Sequence, residues 1–248
     1  MSEHAFISYK LVTNLFGAEA VEVPTAGLGH DLGAMADAVR SDTSVVFLCN
    51  PNNPTGTMVG PDEVETFIGK IPDDVLVVLD EAYAEIALGP MPPSLRYVNE
   101  CGNCVVLRTF SKAYGLAGLR VGFGIGHADV VGALRKSRQP FNVNRMAQEA
   151  AVAALDDAAF LEQSRTLFQE SKTYLENALK EMGVVFEPTY ANFILIDVGD
   201  GKKVTERLAR DGIIVRPVAG YALPRHIRVN FGTMPENRLF IEKLRNVM

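Results

Sequence analysis

The stretch Arg108-Thr-Phe-Ser-Lys112-Ala-Tyr-Gly-Leu-Ala-Gly-Leu-Arg120-Val-Gly122 is the most informative part of this sequence. It places a lysine just beyond the short apolar run 105–107, among hydroxyl residues and glycines, and an arginine follows eight residues later. A lysine that forms a Schiff base with a carbonyl cofactor needs this kind of setting. Hydroxyl groups and a guanidinium bind a phosphate on such a cofactor. The stretch therefore predicts a buried strand that ends at a reactive lysine.

The bulk composition limits the possible partners of the chain. It has 248 residues, of which 48% are hydrophobic, so it can bury a sizeable core. The formal net charge is −6 and no block of lysine and arginine occurs, which argues against nucleic acid and anionic membranes as partners. No apolar run reaches membrane-spanning length, and the N-terminus lacks a signal-peptide pattern. We therefore expect a cytoplasmic protein that does not bind a membrane.

The cysteines do not indicate a disulfide framework or a metal site. Cys101 and Cys104 have the spacing of a redox or zinc motif, but there is no second pair and the four histidines are scattered. A turn that leads into a strand explains this spacing, and we expect no bound metal.

Three apolar runs end in polar clusters, which predicts an α/β fold. The run 44–49 ends at the segment 50–56, the run 75–79 ends at 80–83, and the run 105–107 ends near Lys112. Continuous apolar runs suit strands that are buried on both faces, and intervening helices imply a mostly parallel sheet. Ligands of such sheets lie beyond the carboxyl ends of the strands, so we expect the three clusters to converge.

The sequence beyond Pro140 has a different pattern, with long helical segments and short strands. A helix is predicted at 145–156, followed by a long helix that ends at Gly183. Two further helices are expected near 202–210 and 235–247, and short strands at 184–187, 193–197, 213–216 and 227–230. We therefore predict a large cofactor-binding domain at 1–140, and a long linking helix with a smaller α+β domain at 141–248.

Three polar residues in these clusters have ordinary explanations when each is considered alone. Asp80 is a strand-end residue that could cap a helix, Tyr83 could be an amphipathic surface residue, and Asn53 lies in turn chemistry before Pro54. Their order and spacing are more specific. Asn50-Pro-Asn-Asn-Pro-Thr-Gly56, Asp80-Glu-Ala-Tyr83 and Ser111-Lys-Ala-Tyr-Gly-Leu-Ala-Gly-Leu-Arg120 follow one another along the chain.

This series of motifs resembles the fold-type I aminotransferases that depend on pyridoxal 5'-phosphate, especially the histidinol-phosphate aminotransferase branch. The resemblance runs from Phe6 to the C-terminus. It implies a mostly parallel large domain with a C-terminal α+β domain. It also implies homodimers that transfer an amino group between L-histidinol phosphate and 2-oxoglutarate in histidine biosynthesis.

The resemblance assigns roles to individual residues. Lys112 would form the Schiff base with the cofactor and later transfer a proton. Asp80 would keep the pyridine nitrogen protonated. Tyr83 and Asn53 would donate to the ring oxygen. The phosphate would be bound by Thr109, Ser111 and Arg120. Phe6 matches the aromatic that stacks on the pyridine ring, although a plain core position explains it nearly as well.

The C-terminal segment Gly212–Gly232 also resembles the histidinol-phosphate aminotransferases. Arg228 corresponds to the arginine that binds the substrate anion, because a guanidinium holds carboxylate or phosphate with two hydrogen bonds. It would face the phosphate of histidinol phosphate in one half-reaction and a carboxylate of glutamate in the other. Arg216 is a second substrate-site candidate, and a surface salt bridge is its alternative explanation.

The chain departs from the family pattern at its N-terminus. The segment that normally precedes Met1 carries a Gly-rich phosphate turn and two strands, so the predicted strand 18–23 would lack its neighbour. One hypothesis is an aminotransferase that is completed by upstream sequence or by another chain. The other is an inactive truncated fragment. Within the enzyme class, a threonine-phosphate decarboxylase and an aromatic-amino-acid aminotransferase remain as alternatives.

Overall fold

The structure is a computed structural model that describes the whole chain, from Met1 to Met248. The chain divides into two compact units, each assembled from separate segments. Unit 1 comprises Met1–Asp31, Asn52–Met58 and Thr166–Met248, and unit 2 comprises Leu32–Pro51 and Val59–Arg165.

The chain forms α-helices and strands along its whole length. The helices are α1 (Ser8–Leu15), α2 (Leu32–Asp37), α3 (Pro61–Ile68), α4 (Ser94–Cys101), α5 (Ala128–Ser137), α6 (Arg145–Asp156), α7 (Ala158–Glu181), α8 (Gly201–Arg210) and α9 (Met234–Val247). The strands are β1 (Val45–Cys49), β2 (Leu76–Asp80), β3 (Cys104–Thr109), β4 (Gly122–Gly126), β5 (Phe186–Glu187), β6 (Phe193–Asp197), β7 (Arg216–Pro217) and β8 (His226–Asn230).

Unit 2 contains a four-stranded sheet with the order β1-β2-β3-β4. The strands β1, β2 and β3 are parallel and β4 is antiparallel to β3, which confirms the predicted mostly parallel sheet. Val77, Val78 and Leu79 of the inner strand β2 are buried, as a continuous apolar run in such a sheet requires. Helices α3 and α4 lie between successive parallel strands in the sequence, so the carboxyl ends of β1, β2 and β3 lie along one edge of the sheet.

Unit 1 contains a second, antiparallel sheet with the order β5-β6-β8-β7. Strand β6 is almost completely buried, and Ile227 and Val229 of β8 pack with it into the core of this unit. Side chains alternate between the two faces of a strand, so Arg228 of β8 points away from that core. The same core takes buried residues from α7, α8 and α9.

The predicted long helix is present as α7, and Gly183 beyond it adopts φ +66° as its expected capping role requires. Residues of this helix up to Arg165 belong to unit 2, and those from Thr166 belong to unit 1. The division into domains 1–140 and 141–248 remains a prediction. No helix of the chain combines the length and apolar character needed to cross a membrane.

One predicted strand is wrong, and two others are shorter than predicted. The strand expected at 184–187 is reduced to β5. The segment 18–23 forms only one isolated bridge, between Val23 and Ser2, and Ala18, Glu19 and Glu22 are exposed. A strand needs a neighbour that pairs with its backbone groups, and this segment has none beyond that bridge. The predicted strand at 213–216 is reduced to β7, which begins only at the last of these residues.

Candidate active site

The predicted lysine lies in a tight turn that begins where β3 ends, in unit 2. Thr109 Oγ1 accepts a hydrogen bond from the backbone N–H of Ser111 at 3.1 Å. The carbonyl of Lys112 accepts one from Gly115 N at 3.0 Å, and Gly115 adopts φ +69°. Glycine adopts this left-handed conformation without the steric cost of a Cβ atom, which is why the turn can close here.

Two buried neighbours hold Lys112 in place. Phe110 is 4% exposed and Ala113 is 1% exposed, so the residues on both sides of the Ser111–Lys112 pair are anchored in the core of unit 2. The carbonyl of Ala113 also accepts a hydrogen bond from Ser164 Oγ at 3.1 Å. The lysine itself is half-buried, so its side chain is supported but accessible.

The structure brings Lys112 and Tyr83 together. Tyr83 follows β2, the strand beside β3, and its side chain is buried. Lys112 Nζ lies 5.3 Å from the centroid of the Tyr83 ring, which is within cation–π range. Asp80 ends β2 and pairs in register with Leu107, and its Oδ1 accepts a hydrogen bond from the backbone N–H of Ala82 at 3.2 Å. Lys112 and Tyr83 therefore lie close together, and Asp80 ends the strand next to β3. The convergence of all three polar clusters stays a prediction.

The predicted phosphate residues also lie together in unit 2. Arg120 Nη1 donates to the carbonyl of Ala117 at 2.9 Å and to Ser111 Oγ at 3.4 Å. Arg120 has φ +53°, in the left-handed region, which directs its side chain back toward the turn. The exposed guanidinium and the hydroxyls of Ser111 and Thr109 form a donor set suited to an anion.

Gly122 allows the close approach of β4 to this turn. It pairs with Thr109 across the antiparallel ladder. A Cβ atom at this position would lie 2.7 Å from the backbone oxygen of Arg108. Any residue other than glycine at position 122 would therefore force strands β3 and β4, which lead into and out of the segment with the phosphate residues, to move apart.

The remaining predicted site residues belong to unit 1, where Arg228 is the centre of a contact cluster. Its Nη1 donates to Asn53 Oδ1 at 2.5 Å, and its guanidinium carbon lies 4.9 Å from the centroid of the Phe193 ring. Its Nε is buried and has no hydrogen-bond partner within the chain. A buried unpaired donor of a charged group is costly, so an anionic ligand here would satisfy it. Phe193 is a contact that the sequence did not suggest.

Arg216 lies directly opposite Arg228 in the β7–β8 ladder. Side chains of directly opposed residues lie on the same face of a sheet, about 5 Å apart at Cβ. Like charges at such positions repel each other, and a shared anion reverses this repulsion. Both arginines line a groove of about 760 Å³ in unit 1. Arg216 itself is exposed.

The loop that carries Asn53 is fixed by its neighbours. Asn52 Nδ2 donates to the carbonyl of His4 at 3.1 Å and to Thr55 Oγ1 at 2.9 Å. The loop closes through a hydrogen bond from Gly56 N to the Asn52 carbonyl at 2.8 Å. The turn chemistry noted above therefore forms a hydrogen-bonded loop in which Asn53 is buried.

Phe6 is half-buried in unit 1 and contacts the edge of Tyr9, with the ring centroids 5.7 Å apart. The predicted role of Phe6 in stacking on a cofactor ring stays a prediction. The same holds for the individual roles of the other site residues.

Sequence reasoning missed a buried ion-pair network next to the lysine. Arg108 Nε donates to Glu81 Oε2 at 2.8 Å, and its Nη1 contacts Glu85 Oε1 at 2.9 Å. Burial raises the pKa of Glu81, although Ser94 and Arg108 oppose this shift by hydrogen bonding and charge. A charged residue within an otherwise apolar strand, such as Arg108 in β3, is the signal that could have revealed the network.

The two cysteines of the motif lie on either side of the turn between α4 and β3. Cys101 ends α4, Gly102 turns the chain with φ +69°, and Cys104 begins β3. All three cysteines have free thiols, and no group of three or more metal-ligating side chains occurs in the chain.

The chain is similar to proteins of a known family over nearly its whole length. The family model for aminotransferases of class I and II matches residues 1–244. The chain belongs to this family. Histidinol-phosphate aminotransferase 1 of Idiomarina loihiensis is 45% identical over 99% of this chain and 68% of its own length. Histidinol-phosphate aminotransferase 2 of Pseudomonas fluorescens strain Pf0-1 is 48% identical over 100% of this chain and 67% of its own length.

The fold comparison agrees. The crystal structure of histidinol-phosphate aminotransferase from Sinorhizobium meliloti, in complex with pyridoxal-5'-phosphate, matches with a TM-score of 0.91 and 31% identity, over 100% of this chain and 70% of that one. The fold-type I architecture and the resemblance to the histidinol-phosphate branch are thereby confirmed. The chain spans between 62% and 68% of the length of the first curated relatives it matches.

Proposed function

We propose that this chain transfers an amino group between L-histidinol phosphate and 2-oxoglutarate, with pyridoxal 5'-phosphate as cofactor, as a step of histidine biosynthesis. The observation that carries the proposal is the placement of Lys112 beside Tyr83, just beyond the ends of two adjacent parallel strands, the first of which ends at Asp80. This geometry occurs in a chain that is 45% identical to a histidinol-phosphate aminotransferase over nearly its whole length. Nothing among the relatives favours a decarboxylase or an aromatic-amino-acid aminotransferase.

The residues present in unit 2 fit the cofactor. They offer a primary amine at Lys112, a carboxylate at Asp80, a phenol at Tyr83 and an anion-binding set of hydroxyls and guanidinium around Ser111. Gly122 leaves open the space that a Cβ would fill at the base of this set. When bound, pyridoxal phosphate supplies an electron sink that makes a carbon–hydrogen bond of the amino substrate acidic.

The side chains of unit 2 would then act on protons and charge. The Asp80 carboxylate would hold a proton on the ring nitrogen of the cofactor, and the Tyr83 hydroxyl would donate to its ring oxygen. Lys112 Nζ would act as the base of a 1,3-proton transfer, removing a proton from the substrate carbon and delivering it to the carbon on the other side of the linking nitrogen. Ser111, Thr109 and Arg120 would bind the phosphate and so orient the ring.

The arginines of unit 1 would bind the substrates. Arg228 has a buried Nε without a partner, and Arg216 faces it across the β7–β8 ladder. A pair of guanidinium groups suits the dianionic phosphate of histidinol phosphate and a carboxylate of 2-oxoglutarate. One anion site can therefore serve both half-reactions. Asn53 orients Arg228 through its hydrogen bond.

The experiment that tests this proposal is covalent trapping. The purified 248-residue chain is incubated with pyridoxal phosphate, reduced with borohydride and digested, and the modified peptide is mapped by mass. We expect modification at Lys112, and none at that site after Lys112→Ala. No modification, or labelling spread over many lysines, would contradict the proposal and favour the inactive-fragment hypothesis.

The substrate is tested on the loaded protein. We expect consumption of 2-oxoglutarate with histidinol phosphate, and neither carbon dioxide release from threonine phosphate nor faster turnover of an aromatic amino acid. The reverse preference would move the chain to one of the alternative activities. Arg228→Lys should raise the KM for histidinol phosphate at least tenfold, because a point charge cannot make two parallel hydrogen bonds.

The assembly and location of the protein are further proposals. We propose that the chain forms a homodimer, since Leu15 and Phe16 at the end of α1 are 79% and 82% exposed and large apolar side chains favour burial at an interface. Light scattering coupled to gel filtration measures the mass and would contradict this if only monomer is found. We also propose a cytoplasmic location, which suits a reaction on a charged phosphate ester.

A further inference from the structure

A partly buried arginine, Arg108, joins two carboxylates in unit 2. Its Nε and Nη2 lie 2.8 and 2.5 Å from Glu81 Oε2, and its Nη1 lies 2.9 Å from Glu85 Oε1. The side chains of Glu81 and Glu85 are 2% and 10% exposed. Ser94 donates a hydrogen bond to the other oxygen of Glu81. A planar guanidinium can meet two carboxylates at once, whereas a lysine ammonium offers only a point charge.

The network joins the two chain segments that carry predicted cofactor-binding residues. Glu81 directly follows Asp80, and Arg108 directly precedes Thr109. The backbone ladder between β2 and β3 continues as far as the hydrogen bond from Glu81 N to the Leu107 carbonyl, at 3.0 Å. The Glu81–Arg108 ion pair therefore continues the link between the two strands where their backbones begin to separate.

The second carboxylate extends the link to the tyrosine. Glu85 lies in the single helical turn 84–86 that follows Tyr83. Arg108 holds its side chain, and Arg165 Nε donates to its backbone carbonyl at 2.7 Å. The Arg108 guanidinium thus contacts Glu81 and Glu85, which lie on either side of Tyr83 in the sequence. Arg108 also directly precedes the turn that carries Lys112.

We propose that Arg108 and Glu81 are positioning residues, whose buried ion pair sets the distance between the Asp80–Tyr83 segment and the Thr109–Lys112 turn. The inference rests on the proposed function, because it concerns the groups that would bind the cofactor. Arg108 and Glu81 act through these neighbours. Their removal should therefore change cofactor affinity and the environment of Lys112 even in a protein that remains folded.

The first variant is Arg108→Lys, which keeps the positive charge but loses the planar guanidinium that meets two carboxylates at once. The second is the double variant E81Q/R108Q, which removes both charges of the pair, so that neither is left buried without its partner. The matched control is Arg96→Lys, because Arg96 also contacts two glutamates in unit 2, Glu65 and Glu100, but these are exposed. Each protein is first checked for folding by circular dichroism.

Two quantities are measured on every folded protein. One is the dissociation constant of pyridoxal phosphate, from the absorbance change on titration. The other is the acetylation rate of Lys112 in the cofactor-free protein, from mass spectrometry with limiting acetic anhydride. We expect Arg108→Lys and the double variant to weaken cofactor binding at least tenfold and to change the Lys112 acetylation rate at least threefold. Arg96→Lys should change neither quantity by more than twofold.

Each outcome has a defined meaning. Values within twofold of the wild type in a folded Arg108 variant would overturn the proposal. Failure of both Arg108 variants to fold would also overturn it, because the pair would then support the fold as a whole. If the wild-type chain itself does not bind pyridoxal phosphate, the proposed function fails, and the Lys112 acetylation rate still decides the positioning role.

Discussion

Replacement of Gly56 by alanine should destabilise unit 1 through two separate effects. Gly56 adopts φ +78°, and a non-glycine residue in this left-handed conformation costs about 1–2 kcal/mol. An added Cβ atom would also lie 2.8 Å from the Cβ of Thr189, and even closer to its hydroxyl. Overpacking of this kind costs about 1–3 kcal/mol. We therefore expect Gly56→Ala to lower the free energy of unfolding by roughly 2–5 kcal/mol.

The control that separates the two effects is Gly183→Ala. Gly183 lies in the same unit with φ +66°, and an added Cβ would meet nothing within 4 Å. Its replacement should cost only the conformational part, about 1–2 kcal/mol. The Thr189→Ala change removes the closest clashing atom, so its effect and that of Gly56→Ala should be less than additive in the double variant.

Urea unfolding at 25 °C, followed by circular dichroism, measures these differences. The clash at Gly56 predicts that Gly56→Ala unfolds more easily than Gly183→Ala by about 1–3 kcal/mol. Equal costs for the two variants would refute the packing argument. The result also bears on function, because Gly56 closes the loop in which Asn53 contacts Arg228.

Three further predictions follow from contacts and pKa shifts. Gly122→Ala should weaken pyridoxal phosphate binding at least tenfold, about 1.4 kcal/mol, because the added Cβ would lie 2.7 Å from a backbone oxygen of β3. The control in the same titration is Gly118→Ala, whose added Cβ would meet nothing within 4 Å. Burial lowers the pKa of His226 below its ordinary 6.5, so the folded protein resists protonation and its free energy of unfolding should fall as the pH drops from about 7 through the folded pKa. Urea unfolding between pH 5 and 8 measures this slope, and His226→Gln should flatten it; an unchanged slope would contradict the assignment. Burial raises the pKa of the Cys104 thiol to about 12, so iodoacetamide at pH 8 should label Cys101 at least ten times faster in the folded protein, and equal rates by mass spectrometry would count against that burial.

The sequence was sufficient to predict the elements whose signal is local. The apolar runs of β1, β2 and β3 are continuous, and Gly183 marks the end of α7, so both features could be located without a structure. The same reasoning placed Asp80 and Lys112 at neighbouring strand ends, because parallel strands align their carboxyl ends. The motif order predicted the family correctly.

The features that the sequence did not predict depend on long-range pairing. The segment 18–23 was expected to be a strand, but its only ladder-type pairing is the isolated bridge between Val23 and Ser2. The Arg108–Glu81 pair joins residues 27 positions apart, and neither residue alone indicates the other. The Arg216–Arg228 pairing depends on the register of β7 against β8, which composition does not determine.

The interleaved make-up of unit 1 has a consequence for protein synthesis. Its first segment ends at Asp31 and its last begins at Thr166, so 134 residues lie between them along the chain. At roughly 5–20 residues per second, a ribosome needs about 7–27 s to reach Thr166 after completing Asp31. During this interval unit 2 can be completed, while the N-terminal segment of unit 1 waits for its partners. The segment Met1–Asp31, which carries the exposed side chains of Leu15 and Phe16, is therefore synthesised well before most of the unit into which it folds.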